Sequence, residues 1–232
     1  MEIKKNKLII NLNDNEINGI ITDDKELIIS LLNEKDKVSI IREDFEYNYF
    51  DITIYDYMNG EIEKRNLVLK DKAKKIIDSL KIVGLNKIDI TRCVITLSES
   101  EKKLLQIAIS LLSNPNIIVF EEPFNKLDTK SQKRLIIFFQ MIKEKYNKTI
   151  IFITNNSEIL YKYADYVVII KNNKVISNGK KEIFEDVDLL TTNGVSIPEI
   201  VEFTYKAKKK YNIKIDYHND IRDIIKDIYK HV

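Results

Sequence analysis

Apolar residues along the 232-residue chain fall into two kinds of pattern, of which the first is a set of short runs. Runs rich in Ile, Val and Leu and bounded by Asn, Asp or Gly are typical of strands. After residue 116 these runs are nearly continuous, as expected for strands buried on both faces of a parallel sheet. The runs predict strands at 8–10, 17–21, 38–41, 117–120, 149–153, 167–170 and 175–176.

The second pattern is a recurrence of apolar residues at steps of three and four, which predicts amphipathic helices. It predicts helices at 69–85, 98–114, 129–145, 157–164, 198–210 and about 219–229. The helix that begins at Ser98 carries the sequence of a capping box, because Glu101 stands three residues later. Strand, helix and strand alternate from 117 to 170, which predicts an α/β fold with a mostly parallel sheet. A small β-rich part precedes it at the N-terminus.

Composition and charge exclude several kinds of partner. Lys and Arg number 38 against 36 Asp and Glu, so the net charge of +2 gives no electrostatic reason to bind nucleic acid. A single cysteine, Cys93, rules out an internal disulfide, and the N-terminal residues lack the apolar core of a signal peptide. No apolar run approaches the roughly 20 residues of a membrane-spanning helix. We therefore expect a cytoplasmic protein that meets the inner face of the membrane only through partners.

Three short motifs occur in order between residues 97 and 128: Leu-Ser-Glu-Ser-Glu at 97–101, Ile-Ile-Val-Phe-Glu-Glu-Pro at 117–123 and Asn-Lys-Leu-Asp at 125–128. Their order and spacing resemble those of ATP-binding-cassette (ABC) ATPases, over about residues 8–185. The region after Lys180 is similar to the ATPase subunits of energy-coupling-factor importers. The resemblance implies the P-loop-NTPase-like ABC ATPase fold, with an ABC-ATPase-like domain at 1–185, a helical subdomain at about 50–112 and a C-terminal helical tail at 186–232.

The resemblance also implies roles for residues that stand at the family's functional positions. They are Glu121 at the magnesium position, Glu122 at the position that polarises the attacking water, Glu43 at the Gln-loop position, Asn155 at the His-switch position, Ser98 and Glu101 in the signature, and Asp128 in the loop that contacts a second subunit.

The family's phosphate-binding loop, G-x-x-x-x-G-K-[ST], has no counterpart in this chain. The strand at 17–21 runs directly into Thr-Asp-Asp-Lys-Glu-Leu at 22–27, a connection without glycine. Without glycines the backbone cannot turn its amides around an anion, and the carboxylates of Asp23, Asp24 and Glu26 would repel a triphosphate. Lys25 is either a remnant of the phosphate-binding lysine or an ordinary turn lysine. We expect that this chain alone does not bind ATP tightly.

At other functional positions, too, this chain carries residues that differ from the family's usual ones and that weaken nucleotide binding or turnover. Glu121 replaces the usual Asp, Glu43 replaces Gln, and Asn155 replaces a His whose proton Asn cannot carry. The signature replaces its glycines and Gln with carboxylates and Ser, so that the helix caps itself. A cluster of aromatic residues forms either a groove for a membrane partner or part of the core; its members are Tyr47, Tyr49, Phe50, Tyr55 and Tyr57.

The first hypothesis is therefore a degenerate ATP-binding subunit of an energy-coupling-factor-like importer, weak or inactive in ATP binding and hydrolysis. It would pair with a competent ATPase and a transmembrane coupling component, and ATP and Mg²⁺ would be bound through the partner. One alternative is a soluble scaffold or regulatory pseudo-ATPase outside any transporter. Another is an active but unorthodox ATPase.

Overall fold

A computed structural model describes residues 1–5, 8–43 and 51–211, together with 222, 223, 225, 226 and 229. The strands among these residues are β1 (Glu2–Lys5), β2 (Leu8–Asn11), β3 (Ile17–Thr22), β4 (Val38–Ile41), β5 (Ile117–Glu121), β6 (Thr149–Ile153), β7 (Tyr166–Lys171) and β8 (Lys174–Gly179). The helices are α1 (Lys25–Asn33), α2 (Ile54–Lys64), α3 (Lys72–Ile82), α4 (Glu99–Leu112), α5 (Thr129–Tyr146), α6 (Ser157–Tyr163), α7 (Val187–Thr192) and α8 (Glu199–Tyr211). Two short 3-10 helices lie at Val94–Thr96 and Lys181–Glu185.

The chain divides into two compact units. The first consists of Met1–Ile28 and Phe152–Val232, and the second of Ile29–Ile151. The chain passes from one unit to the other within α1 and within β6.

The first unit is built around β3, whose six residues are all buried. This strand pairs in parallel with β7, from Asn18 opposite Tyr166 to Thr22 opposite Ile170, and β7 pairs antiparallel with β8. The turn between β7 and β8 holds Asn172 and Asn173 at positive φ, a conformation that Asn tolerates and that suits a tight hairpin. The strands predicted at 167–170 and 175–176 thus form a β-hairpin.

The second unit pairs β4 in parallel with β5, from Val38 opposite Ile117 to Ile41 opposite Phe120. Phe120 meets Phe139 of α5 edge to face, with ring centroids 4.8 Å apart, and both rings are fully buried. Most residues of α4 are buried as well, among them Leu105, Ile107 and Ala108. Parallel pairing of apolar strands with helices packed against them confirms the predicted α/β class.

Most predicted strands and helices are confirmed within one to three residues, but four elements were not predicted. They are β1, α1, α2 and α7. Residues 27–32 form part of α1 although they are mostly Leu and Ile, because Asp24 starts a helix there. The predicted helix at 219–229 lies largely outside the described residues, as do Tyr47, Tyr49 and Phe50. None of the described helices has both the length and the apolar composition needed to cross a membrane.

The two interpretations of the aromatic cluster can be compared only at Tyr55 and Tyr57. Tyr57 is 3% exposed and belongs to the core of the second unit, whereas Tyr55 is half-buried. For Tyr57 the structure therefore favours the core interpretation.

Gly19 of β3 sits where a side chain has little room. A Cβ at this position would come within 2.7 Å of Leu160 Cδ2 of α6. We expect Gly19→Ala to lower the free energy of unfolding by about 1–3 kcal/mol, the usual cost of overpacking, as measured by urea denaturation.

The matched control for this change is Gly60→Ala in the middle of α2, where an added Cβ meets nothing within 4 Å. Alanine loses less backbone entropy than glycine, so this variant should gain about 0.5–1 kcal/mol. Equal effects of the two substitutions would contradict the role given to the contact between Gly19 and Leu160.

Candidate functional site

Where the resemblance predicts a phosphate-binding loop, two residues, Asp23 and Asp24, connect the end of β3 to the start of α1. Asp24 Oδ1 accepts the backbone N–H of Leu27 at 2.9 Å, and the Asp24 N–H donates to Thr22 Oγ1 at 3.1 Å. A helix N-terminus attracts anions through its free N–H groups and its dipole. Here the chain's own carboxylate occupies that place.

Asp23 is also bound within the protein, because its Oδ2 accepts the backbone N–H of Asn172 at 2.9 Å. This contact ties the connection to the turn between β7 and β8. Lys25, the candidate remnant, is the half-buried first residue of α1 and stands within the helix rather than in a loop. The connection is therefore as short as the sequence predicts.

Asn155, at the His-switch position, is brought to the same place. Its side-chain Oδ1 accepts the backbone N–H of Thr22 at 3.2 Å. The Ser196 hydroxyl lies 3.1 Å from the Asn155 carbonyl oxygen and 2.9 Å from the Ser157 hydroxyl. Asn155 thus joins the end of β3 to the segment before α8, and its amide oxygen is engaged in a structural bond.

Acidic residues gather in the second unit where β4 and β5 end. Glu121 Oε2 lies 3.2 Å from Arg42 Nε and accepts the backbone N–H of Glu43 at 3.3 Å. Glu43 Oε1 accepts from Asn125 Nδ2 at 2.8 Å. Glu122 follows with left-handed backbone, φ 44°, and is only 8% exposed. The structure therefore brings Glu43 and Glu121 together and holds both with protein donors.

Lys103 of α4 reaches this cluster and was not identified from the sequence. Its side chain is buried, and its Nζ lies 3.3 Å from the Arg42 carbonyl oxygen and 3.4 Å from that of Glu121. Its spacing from Ile107 and Ser110, which are also buried, is the signal that could have placed it on the inner face of the helix. Burial lowers the pKa of Lys103 to about 8, against the opposing effect of Glu43, Glu121 and Glu122.

The residues around Glu121, where the resemblance predicts a magnesium site, do not fit a magnesium ion. Mg²⁺ requires several oxygen ligands in octahedral geometry. Among the described residues no three His, Cys, Asp or Glu side chains are grouped so that they could hold a metal ion. The Glu121 carboxylate instead contacts a guanidinium and a backbone amide.

The lowered pKa of Lys103 makes a prediction about stability against pH. The folded chain releases this proton near pH 8, whereas the unfolded chain holds it up to its ordinary pKa of 10.5. Between these values the unfolded state binds more protons, so this residue's contribution to stability rises with pH. Relative to Lys103→Met, the unfolding free energy of the wild type should therefore increase by on the order of 3 kcal/mol from pH 7 to 10.5.

Chemical denaturation at several pH values measures this difference. Carboxylates are ionised throughout the window, and tyrosines are common to both proteins, so their effects largely cancel. The groups facing the ammonium are Glu43, Glu121, Glu122 and Lys126. A difference that stays constant from pH 7 to 10.5 would show that Lys103 titrates at its ordinary value.

The signature position is closed by its own capping box, as the sequence predicts. The Ser98 hydroxyl accepts the Glu101 N–H at 3.2 Å, and Glu101 Oε2 accepts the Ser98 N–H at 2.9 Å. Arg92 lies 3.7 Å from the same glutamate. The N-terminus of α4 is therefore already satisfied by carboxylate and hydroxyl groups of this chain.

Asp128 joins the starts of α4 and α5. It caps α5 by accepting the Ser131 N–H at 2.9 Å, and its Oδ2 also accepts the Ser131 and Ser100 hydroxyls, each at 3.0 Å. These bonds, led by those from Ser131, lower the pKa of Asp128 to about 2. An open groove of about 710 Å³ lies beside these helix starts and carries basic side chains on its walls, namely Lys87, Arg92, Lys130 and Arg134.

Comparisons with known proteins agree with this description. The family model described as ABC transporter matches residues 6–125, which are 120 of the 232 residues. The energy-coupling factor transporter ATP-binding protein EcfA2 of Caldanaerobacter subterraneus subsp. tengcongensis is 25% identical over 195 residues, 84% of this chain and 68% of the relative. The protein of the same name from Spiroplasma kunkelii is 30% identical over 200 residues, 84% of this chain and 65% of the relative. EcfA2 of Mycoplasma capricolum is 32% identical over 138 residues, 59% of this chain and 48% of the relative. The matched part is therefore between 48% and 68% of the length of these three relatives.

Solved structures show the same fold. The structure of cbiO1 from Clostridium perfringens, described as part of the ABC transporter complex cbiONQ, matches with a TM-score of 0.69 at 17% identity, over 88% of this chain and 98% of that one. A metal-chelate type ABC transporter in an inward-facing conformation matches with a TM-score of 0.69 at 16% identity, over 81% of this chain and 80% of that one. The predicted ABC ATPase fold is thus confirmed. Because the family model covers more than half of its residues, the chain belongs to the ABC transporter family, and its sequence relatives include ATP-binding proteins of energy-coupling factor transporters.

Proposed function

We propose that this chain is a degenerate ATP-binding subunit of an energy-coupling-factor-like importer, one that neither binds ATP tightly nor hydrolyses it. The observation that carries the proposal is the Asp24 cap, which closes the N-terminus of α1 two residues after β3. In an ABC ATPase that helix end receives the phosphates through a glycine-rich loop. A carboxylate bonded there excludes them by space and by charge.

Two further contacts support the proposal. The amide oxygen of Asn155 is bonded to the Thr22 N–H, so the switch position is committed to holding the end of β3. The capping box of Ser98 and Glu101 places a carboxylate at the start of α4, where a signature helix would receive the γ-phosphate bound to a second subunit. Glu122 keeps the position of the water-polarising residue, but a chain that does not bind ATP would give it no nucleotide to act upon.

The partners in this proposal are a second, competent ABC ATPase and a transmembrane coupling component, on the cytoplasmic side of the membrane. The likeness to EcfA2 proteins, whose name places them in energy-coupling factor transporters, supports these partners. ATP and Mg²⁺ would be held by the competent partner. The role of this chain would be to transmit motion between that partner and the membrane component.

Affinity purification of the tagged full-length chain from solubilised membranes of its own host tests the proposal. We expect two proteins in comparable amounts: a polytopic membrane protein and an ABC ATPase with an intact G-x-x-x-x-G-K-[ST] loop. The control is the same tag on an unrelated cytosolic protein of similar size. Recovery of the chain from the soluble fraction alone would favour the scaffold alternative, and saturable ATP turnover by the purified chain would favour the unorthodox ATPase.

A further inference from the structure

Basic side chains of the protein lie close to the glutamates at the ends of β4 and β5. Arg42 Nε lies 3.2 Å from Glu121 Oε2, and Lys103 Nζ lies within 3.4 Å of the carbonyl oxygens of Arg42 and Glu121. The Lys103 side chain is only 7% exposed. These contacts occupy the position at which an ABC ATPase would use magnesium.

The charges of the cluster already cancel without a metal. Three carboxylates act on the Lys103 ammonium, those of Glu43, Glu121 and Glu122, together with the like charge of Lys126. With Arg42 the cluster holds three anions and three cations. A divalent cation entering it would meet three positive groups and would have to displace the bonds that Arg42 and the Glu43 N–H make to Glu121.

We propose that Lys103 and Arg42 are built-in counter-ions that replace the divalent metal at this position, so that the cluster neither needs nor binds Mg²⁺. The ammonium is buried and lies between two strand ends. It supplies there a positive charge that no nucleotide brings or removes. This inference deepens the proposed function, on which it rests for the identity of the position. Its test uses metal ions without nucleotide, so that this inference and the proposed function can fail independently of each other.

The test compares the wild type, Lys103→Met and Lys102→Met. Lys102 is a matched control, because it stands next to Lys103 on α4, carries the same charge, and pairs with Glu99 outside the cluster. Mn²⁺ serves as the spectroscopic probe, with paramagnetic resonance of the free ion as the readout, and Mg²⁺ is titrated in thermal unfolding.

We expect no saturable Mn²⁺ binding below about 10 mM, and no change of Tm with Mg²⁺, for the wild type and for Lys102→Met. Lys103→Met exposes an uncompensated carboxylate group and should bind Mn²⁺ at least tenfold more tightly than the wild type. Its Tm should rise by about 3 °C at an Mg²⁺ concentration ten times the dissociation constant. Adding Glu121→Gln to Lys103→Met should abolish this gain.

Two outcomes would overturn the inference. One is saturable Mn²⁺ binding by the wild type that Glu121→Gln removes. The other is a folded Lys103→Met that gains no affinity for either ion. If Lys103→Met does not fold, Arg42→Gln at the partly exposed edge of the cluster replaces it, with the same expected gain and the same contrary result.

Discussion

The purified chain should show no saturable binding of Mg-ATP below about 1 mM. The connection between β3 and α1 offers no glycine-rich loop, so at least three charge-assisted hydrogen bonds to phosphate are missing. At about 1.5 kcal/mol each, their loss weakens affinity roughly a thousandfold, which moves a micromolar site into the millimolar range. Titration with radiolabelled ATP up to several millimolar measures this, and saturation in the micromolar range would contradict it.

A variant separates the two reasons for expecting weak ATP binding, which are the negative charge of the connection and its short backbone. Asp24→Ser keeps an oxygen that can cap α1 but removes the negative charge. We expect this variant to remain without micromolar affinity, since the backbone of the connection is unchanged. A gain to micromolar affinity would show that charge alone, and not the length of the connection, excludes the nucleotide.

In the assembled membrane complex, Glu122→Gln in this chain should change the rate of ATP hydrolysis by less than about twofold. A residue that orients or deprotonates the attacking water contributes about 100-fold to 10,000-fold to the rate, so the same replacement in the competent partner should nearly abolish turnover. Glu122 is buried and follows β5 with left-handed backbone, so the fold of the variant must be checked by circular dichroism.

The control for this measurement is Glu26→Gln, a change of the same charge on the exposed surface of α1. Loss of turnover with Glu122→Gln, but not with the control, would assign catalysis to this chain and support the unorthodox ATPase.

Features that depend on neighbouring residues were predictable from the sequence. The capping box at Ser98 and Glu101 involves residues three apart, and the missing phosphate loop is visible as an absence of glycine after β3. The parallel strands follow from continuous apolar runs that only a sheet covered on both faces can bury. In each case the physical cause lies within one short stretch of sequence.

Features that depend on distant residues were not predictable. Lys103 contacts the Arg42 carbonyl oxygen, which is 61 residues away in the chain. The helical spacing indicates the inner face of α4, but it does not indicate which groups the ammonium meets there. Asn155 binds Thr22 across 133 residues, and Asp128 binds Ser100 across 28. The helix α1 is a local feature that was nevertheless missed. Its run of Leu and Ile is equally typical of a strand, and the cap that Asp24 provides for the Leu27 N–H was not recognised.

The two-residue connection after β3 limits what mutation can change at this end of the strand. Substitution can change the chemistry of Asp23 and Asp24, but it cannot lengthen the backbone between Thr22 and Lys25. A glycine-rich loop of the family's length would therefore require an insertion of several codons as well as new glycines. Replacing Asp24 with glycine in the present connection would remove the carboxylate that caps α1, so the stability of this helix end opposes such a change.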